Sequence, residues 1–226
     1  AGVIVVAAAG NQAAGPSRPA KCAGVVGVVA LNRDGFKAYY SNFGSALSAS
    51  GIATVGGDPA SGDAGDDLAD EGLLTLDDTG LRRPDAAGSA YVAGTSFSAP
   101  IASGVAGLML AVNPDLSAQQ LIDGLRVSSR PHVSSGRFAS CSAANNARCD
   151  CSVSTCGAGI LDADAAVRHA QAVVGEGAGG GNSGGGGGGG AVSPGWLLGL
   201  LAAVLVLSWS PARSRRARSP GPARRT

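Results

Sequence analysis

The chain has 226 residues, 45% of them hydrophobic, with only 4% aromatics but 37 glycines. That allows one domain with a tightly packed Ala/Gly core, plus a low-complexity tail. The formal net charge of +1 hides an asymmetry, because six arginines follow Trp209 and leave 11 basic and 16 acidic residues before it, a balance of −5. A nucleic-acid binder carries its basic patch on the folded part, so that class is set aside and no nucleic-acid partner is expected.

The first apolar run, Val3 to Ala8, is continuous and predicts a buried parallel strand ending near Gly10. A second, "GVVGVVAL" from Gly24 to Leu31, predicts another. "YYSNFG", Tyr39 to Gly44, is a polar-aromatic turn region. From Gly56 to Asp78 the chain carries Asp58, Asp63, Asp66, Asp67, Asp70, Glu71, Asp77 and Asp78, interrupted by "GLLTL", a short strand candidate. A structural calcium is one reading, since hard cations want several oxygen ligands. The absence of EF-hand spacing favours a solvated acidic loop.

Phe97, Ile101, Val105, Leu108, Met109 and Val112 then recur at helical spacing with alanine and glycine between them. This predicts a helix buried almost all round, running to about Val112, with Pro100 near its start. In "NPDLSAQQLIDGLRVSS", Ser117 and Gln120 form a capping box ahead of an apolar face of Leu121, Ile122 and Leu125. "GILDADAAVRHAQAVV" predicts a last helix with Asp162 or Asp164 at its cap. Parallel-type strands mixed with long helices indicate an α/β fold.

The cysteines are Cys22, Cys141, Cys149, Cys151 and Cys156. The C-x7-C-x-C-x4-C spacing lacks the paired knuckles of structural zinc sites. Disulfides in an oxidising compartment are therefore expected. Three connectivities are open to the last four, although Cys149 and Cys151 are too near each other to pair well. Cys22 is the odd one.

Beyond Gly175 the composition changes. Residues 175–194 are mostly glycine, with Ala, Asn and Ser among the rest, and include seven consecutive glycines from Gly184 to Gly190, which predicts a flexible linker. "GWLLGLLAAVLVLSW" follows, predicting a transmembrane segment over 195–210 with Trp196 and Trp209 at the interfaces and a basic cytoplasmic tail over 211–226. The folded part, 1–174, is then placed outside the cytoplasm.

"VAGTSFSAP", Val92 to Pro100, puts Ser96 at the head of the apolar helix. Free N–H groups at a helix N-terminus suit an oxyanion formed when a serine oxygen attacks a carbonyl. Asn11 closes the first strand, where α/β sheets place ligand-binding groups, and offers an uncharged second donor. A serine nucleophile needs a base, usually a histidine held by a carboxylate. The two histidines are His132, in a loop, and His169, on the last helix, and both are read as surface residues. The G-x-S-x-G arrangement of α/β-hydrolases is absent, because Ser96 stands in "AGTSFSA".

Four stretches together carry a resemblance. "GTSFSAPIASGVAGLML" resembles the catalytic-serine motif of subtilisin-like serine proteases (peptidase family S8). "VIVVAAAGN" is similar to their oxyanion-asparagine segment, "YYSNFG" to the turn between the two, and "CGAGILDADAAV" to the end of the catalytic domain in secreted bacterial members. The resemblance implies a partial three-layer subtilisin-like fold with a mostly parallel sheet. It implies a serine endopeptidase acting on polypeptides, with Ser96 as nucleophile, Asn11 as oxyanion donor, and the backbone of Ala8, Ala9 and Gly10 lining the substrate pocket. No cofactor is required for the chemistry. In this family the catalytic Asp and His precede the asparagine segment, so the resemblance implies an N-terminally truncated catalytic domain, inactive alone, whose upstream part also holds the partner of Cys22. Pro100-Ile101-Ala102 replaces the common Pro-His-Val, and "ALSASGIATVGGDP" departs from the usual loop after the turn. The alternative is a non-catalytic surface module on the same scaffold. The tail resembles a bacterial Gly-Gly type sorting signal, which implies a rhomboid-like processing protease as partner and a cell-surface or secreted product; the alternative is a permanent membrane anchor.

Overall fold

The computed structural model describes residues 2–59, 69–80 and 83–173. Its sheet has three parallel strands in the order β1-β2-β3: β1 (Val5–Ala8), β2 (Val25–Leu31) and β3 (Ile52–Val55). Val25 to Val28 pair in register with Val5 to Ala8, and Val28 to Leu31 with Ile52 to Val55. β2 is buried along its whole length, the condition that makes a central parallel strand continuously apolar. β1 starts two residues later than predicted.

Alternating β2 side chains serve two different cores. Val26 and Val28 join Ile52 and the helices: α1 (Thr95–Val112), α2 (Ala118–Val127) and α4 (Ala163–Ala172). Val29 and Leu31 join Ala53, Phe43, Leu47 and four cysteines on the other face. That second face is closed by a 3₁₀ turn at Ser45–Leu47 and by the short α3 (Val153–Cys156). The α/β class and the parallel sheet are therefore as expected.

Two local signals resolve as read. Ser117 Oγ accepts from Gln120 N at 3.3 Å, and Gln120 Oε1 accepts from Ser117 N at 2.8 Å. Of the two cap candidates for α4, Asp162 caps, accepting from Ala165 N at 2.9 Å. The cysteines pair as Cys141–Cys149 and Cys151–Cys156, and Cys22 is the free one among the described residues. The sulfurs of Cys141, Cys151 and Cys156 lie within 4.8 Å of one another, but disulfide sulfurs are not thiolate ligands, so zinc has no donors here.

Three features differ from expectation. α1 is buried on one face through Ser98, Ala102, Val105, Ala106 and Met109. Its opposite face leaves Leu108, Leu110 and Val112 exposed at 53%, 38% and 42%, because β1, β2, β3 and α4 all pack on the same side. Pro100 sits in the second turn of α1 rather than the first, so its missing N–H leaves the Ser96 carbonyl without its helical donor. "IATV" is β3, although the sequence reads as loop there, and "GLLTL" contributes to β4 (Leu73–Asp78), which pairs antiparallel with β5 (Ala87–Val92), a strand the sequence does not announce. The hairpin's Leu74, Leu76 and Tyr91 are exposed.

The second core also contains charges. Lys37 is fully buried and donates to the carbonyls of Ala38, Tyr39 and Ser41 at 2.8, 3.3 and 3.0 Å. Burial pulls its ammonium down to about 7, against an opposing pull from Asp58. Arg148 Nε lies 2.5 Å from Asp58 Oδ2, with both side chains buried. Burial pushes the Asp58 carboxyl up, while Arg148 and the Tyr39 N–H oppose it.

The acidic segment is not the solvated loop expected at its start, because Asp58 is buried against Arg148 and Asp70 is half-buried under backbone N–H groups. Asp58 accepts from Tyr39 N and faces Arg148, and Asp70 accepts from Asp58 N, Gly72 N and Arg33 N. Of the other acidic residues, Glu71 faces Arg33 and Asp78 accepts from Gly80 N and Asp85 N, while Asp63, Asp66 and Asp67 lie outside the described residues, as do the linker (175–194), the membrane segment (195–210) and the basic tail (211–226). The described residues form one compact unit.

Candidate active site

Asn11 and the head of α1 come together, although 84 residues separate Asn11 from Thr95. The C-terminal end of β1 turns at Gly10, and α1 packs across β1, β2 and β3 so that its N-terminus reaches that end. Thr95 clamps the contact. Its N–H donates to Asn11 Oδ1 at 3.0 Å and its hydroxyl donates to the same oxygen at 2.7 Å. The Thr95 hydroxyl in turn accepts from Gly10 N at 3.1 Å. With Oδ1 held by two donors, the carboxamide can turn only one way, and Nδ2 is left free to serve a ligand.

Gly94, which precedes α1, shows where Nδ2 goes. A Cβ built on Gly94 would lie 3.4 Å from Asn11 Nδ2 and 3.8 Å from Ser96 N. The side-chain amide and the helix N–H therefore flank one point, and glycine leaves that point open. Its φ of 153° is also one that side chains disfavour. Gly94 N donates to Gly56 O at 2.9 Å, and Ser98 Oγ to Val55 O at 3.0 Å, tying the helix start to the end of β3. Ser96 and Asn11 are both exposed. Two uncharged N–H groups bordering one point next to a serine are of the kind that suits an oxyanion.

The other site candidates fall as follows. Ala8 is half-buried, Ala9 is fully buried in the second core, and Gly10 is half-buried. Ala9 does not line an open pocket as expected, because its N–H donates to Val28 O and its carbonyl accepts from Ser17 N and Asn42 Nδ2, which leaves no part of it exposed. A cavity of about 440 Å³ lies farther along the same loop, lined by Ala13, Ala14, Gly15, Phe43, Gly44, Cys141, Ser142, Ala143, Asn146 and Thr155. Sequence reasoning missed Thr95 as a functional residue; the signal was its place between Gly94 and Ser96, with a hydroxyl able to reach the preceding turn.

Neither histidine is the surface residue expected. His132 is half-buried, with Nε2 2.9 Å from Gly157 O, and His169 packs beside Gly124. Burial holds the His132 imidazole below its ordinary value of 6.5, against the Gly157 bond. A lowered folded-state value means that protonation favours the unfolded chain. This contribution is complete above pH 6.5 and is lost as pH falls from 6.5 toward the folded value. Urea unfolding should show wild type losing stability relative to His132→Gln across that window, and parallel curves would exclude the assignment.

With this geometry in view, known proteins supply the family. A model of the subtilase family matches residues 1–159. The chain is a subtilase. An extracellular protease of Xanthomonas campestris pv. campestris is 33% identical over 168 residues, a match covering 74% of this chain and 23% of that protein. A probable subtilase-type serine protease of Deinococcus radiodurans is 33% identical over 124 residues, covering 53% and 16%. Among solved structures, a protease from Pseudoalteromonas arctica superimposes with a TM-score of 0.58 at 33% identity, covering 75% of this chain and 43% of that one. This subtilase chain thus spans less than half of the solved relative and about a quarter of the curated one. In it, the Asn11–Thr95 clamp and the open point at Gly94 join two of the four motifs that carried the resemblance.

Proposed function

We propose that this chain forms the nucleophile and oxyanion half of a serine-type endopeptidase acting on polypeptides outside the cytoplasm. The observation that carries this reading is the convergence of Asn11 Nδ2 and Ser96 N on one open point beside Gly94. Ser96 attacks the peptide carbonyl, and Asn11 and the Ser96 N–H hold the tetrahedral oxyanion. An acyl-enzyme forms, and water clears it. Ala8 and Gly10 border the pocket for the residue before the cut. The reaction so written uses no cofactor.

The base and its orienting carboxylate come, in this proposal, from sequence outside these 226 residues. His132 Nε2 bonds Gly157 O, and His169 lies on α4 beside Gly124, away from the head of α1 in sequence. The outer edge of β1 and the exposed Val3, Val5 and Leu108 leave surface for further structure to cover. Two disulfides fit an oxidising compartment, in keeping with the extracellular relative. Membrane attachment through 195–210 and rhomboid-like processing belong to the proposal on the sequence argument alone.

Asn11→Ala tests it in the protein carrying its complete catalytic domain. Losing one oxyanion donor costs about 3 kcal/mol of transition-state stabilisation, a magnitude known for serine hydrolases of this type. The expected result is kcat lower by about a hundredfold or more with KM little changed, because the bond is made chiefly in the transition state. Equal rates would remove Asn11 from the mechanism.

A further inference from the structure

We propose that Asn42 is a positioning residue for the oxyanion hole, an inference that rests on the hydrolase reading above. Asn42 is 1% exposed, and its hydrogen bonds converge on the loop that carries Asn11. Its backbone N–H donates to Gly10 O at 2.8 Å. Its side-chain Oδ1 accepts from Gln12 N at 2.8 Å and Ala14 N at 3.1 Å. Its Nδ2 donates to Ala9 O at 3.2 Å, Gln12 Oε1 at 3.0 Å and Ser17 Oγ at 3.3 Å. Gln12 Oε1, so held, accepts from Asn11 N at 3.2 Å.

These contacts bracket Asn11 on both sides. The preceding carbonyls, at Ala9 and Gly10, and the following N–H groups, at Gln12 and Ala14, all bond to one residue from a distant turn. A buried carboxamide suits this task because it presents an acceptor and a donor edge together. Gly10 is needed for the same reason: a Cβ there would stand 2.4 Å from Asn42 Nδ2. Thr95 orients the Asn11 side chain, and Asn42 holds the backbone from which that side chain projects. Small errors in such a placement weaken transition-state binding before they weaken substrate binding.

The test is a double-mutant cycle in the protein with its complete catalytic domain. Asn42→Asp keeps the shape and the Oδ1 acceptor but removes both Nδ2 hydrogens. It should lower kcat by about tenfold or more while KM moves much less. In the Asn11→Ala background the same change should cost almost nothing further, since there is no donor left to aim. Gln12→Met, at an exposed position, removes one Asn42 partner without disturbing the core and should show a smaller drop that also vanishes in the Asn11→Ala background. It carries the test if Asn42→Asp does not fold. Unchanged kcat, or equal losses in both backgrounds, would overturn the proposal, the latter outcome marking Asn42 as a packing residue. Ser96→Ala separates this failure from the larger one: if that variant stays active the hydrolase reading falls, and if it is dead while the cycle is additive, only Asn42's role falls. Faster hydrogen exchange at the Gln12 and Ala14 amides in Asn42→Asp is expected regardless of turnover, and unchanged exchange there would also count against the proposal.

Discussion

Replacing Ser96 with alanine in the protein carrying its complete catalytic domain should reduce peptide hydrolysis by about 10⁶-fold, the scale of loss when one member of a cooperating catalytic set is removed. The residue is exposed at the start of α1, so removing its hydroxyl should change stability by less than about 0.5 kcal/mol. Substrate affinity should persist, because Asn11 Nδ2 and the Ser96 N–H remain where they are. Turnover kinetics alongside peptide binding and urea unfolding separate these quantities. A folded Ser96→Ala protein that hydrolyses peptides at the wild-type rate would end the assignment of the nucleophile.

The second large effect is on stability. Arg148 and Asp58 form a buried ion pair with side chains 1% and 0% exposed, joining the Cys141–Cys149 loop to the turn after β3. That turn also holds Gly94, through Gly56 O. Arg148→Ala leaves the Asp58 carboxylate in the core without its guanidinium, and breaking a buried pair from one side costs roughly 3–5 kcal/mol. Lys37 does not replace it, because its ammonium is committed to the carbonyls of Ala38, Tyr39 and Ser41. Replacing both partners, as Arg148→Met with Asp58→Asn, should recover much of the loss, since no net charge is then stranded. Chemical unfolding of the wild type and these two variants measures this. A loss below about 1 kcal/mol for Arg148→Ala would show that the pair is solvated and does not act as a core contact.

Much of the architecture was legible because it is locally encoded. The unbroken valine runs of β1 and β2, the 3.6-residue spacing of α1, and the caps at Ser117 and Asp162 announce themselves within a few residues. β3 was not legible: "IATV" is four residues between Gly51 and Gly56, and it becomes a strand through pairing with Val28 to Leu31. β5 is likewise Ala-Gly-Ser-Ala-Tyr-Val, weak in propensity, and it exists through its pairing with β4. The exposed face of α1 escaped for a related reason, since an apolar helix does not say which of its sides its neighbours occupy.

For the site, sequence alone determined the chemistry on offer: a serine leading an Ala/Gly-rich helix, an asparagine closing a strand, and cysteines in number and spacing fit for disulfides. Tertiary structure decided the rest. It chose the Cys141–Cys149 and Cys151–Cys156 pairs, enlisted Thr95 and Asn42 around Asn11, and buried Lys37 among carbonyls. The physical reason is that hydrogen bonds and ion pairs across 30 to 90 residues depend on how elements pack, and neighbouring residues in the chain carry no record of that packing.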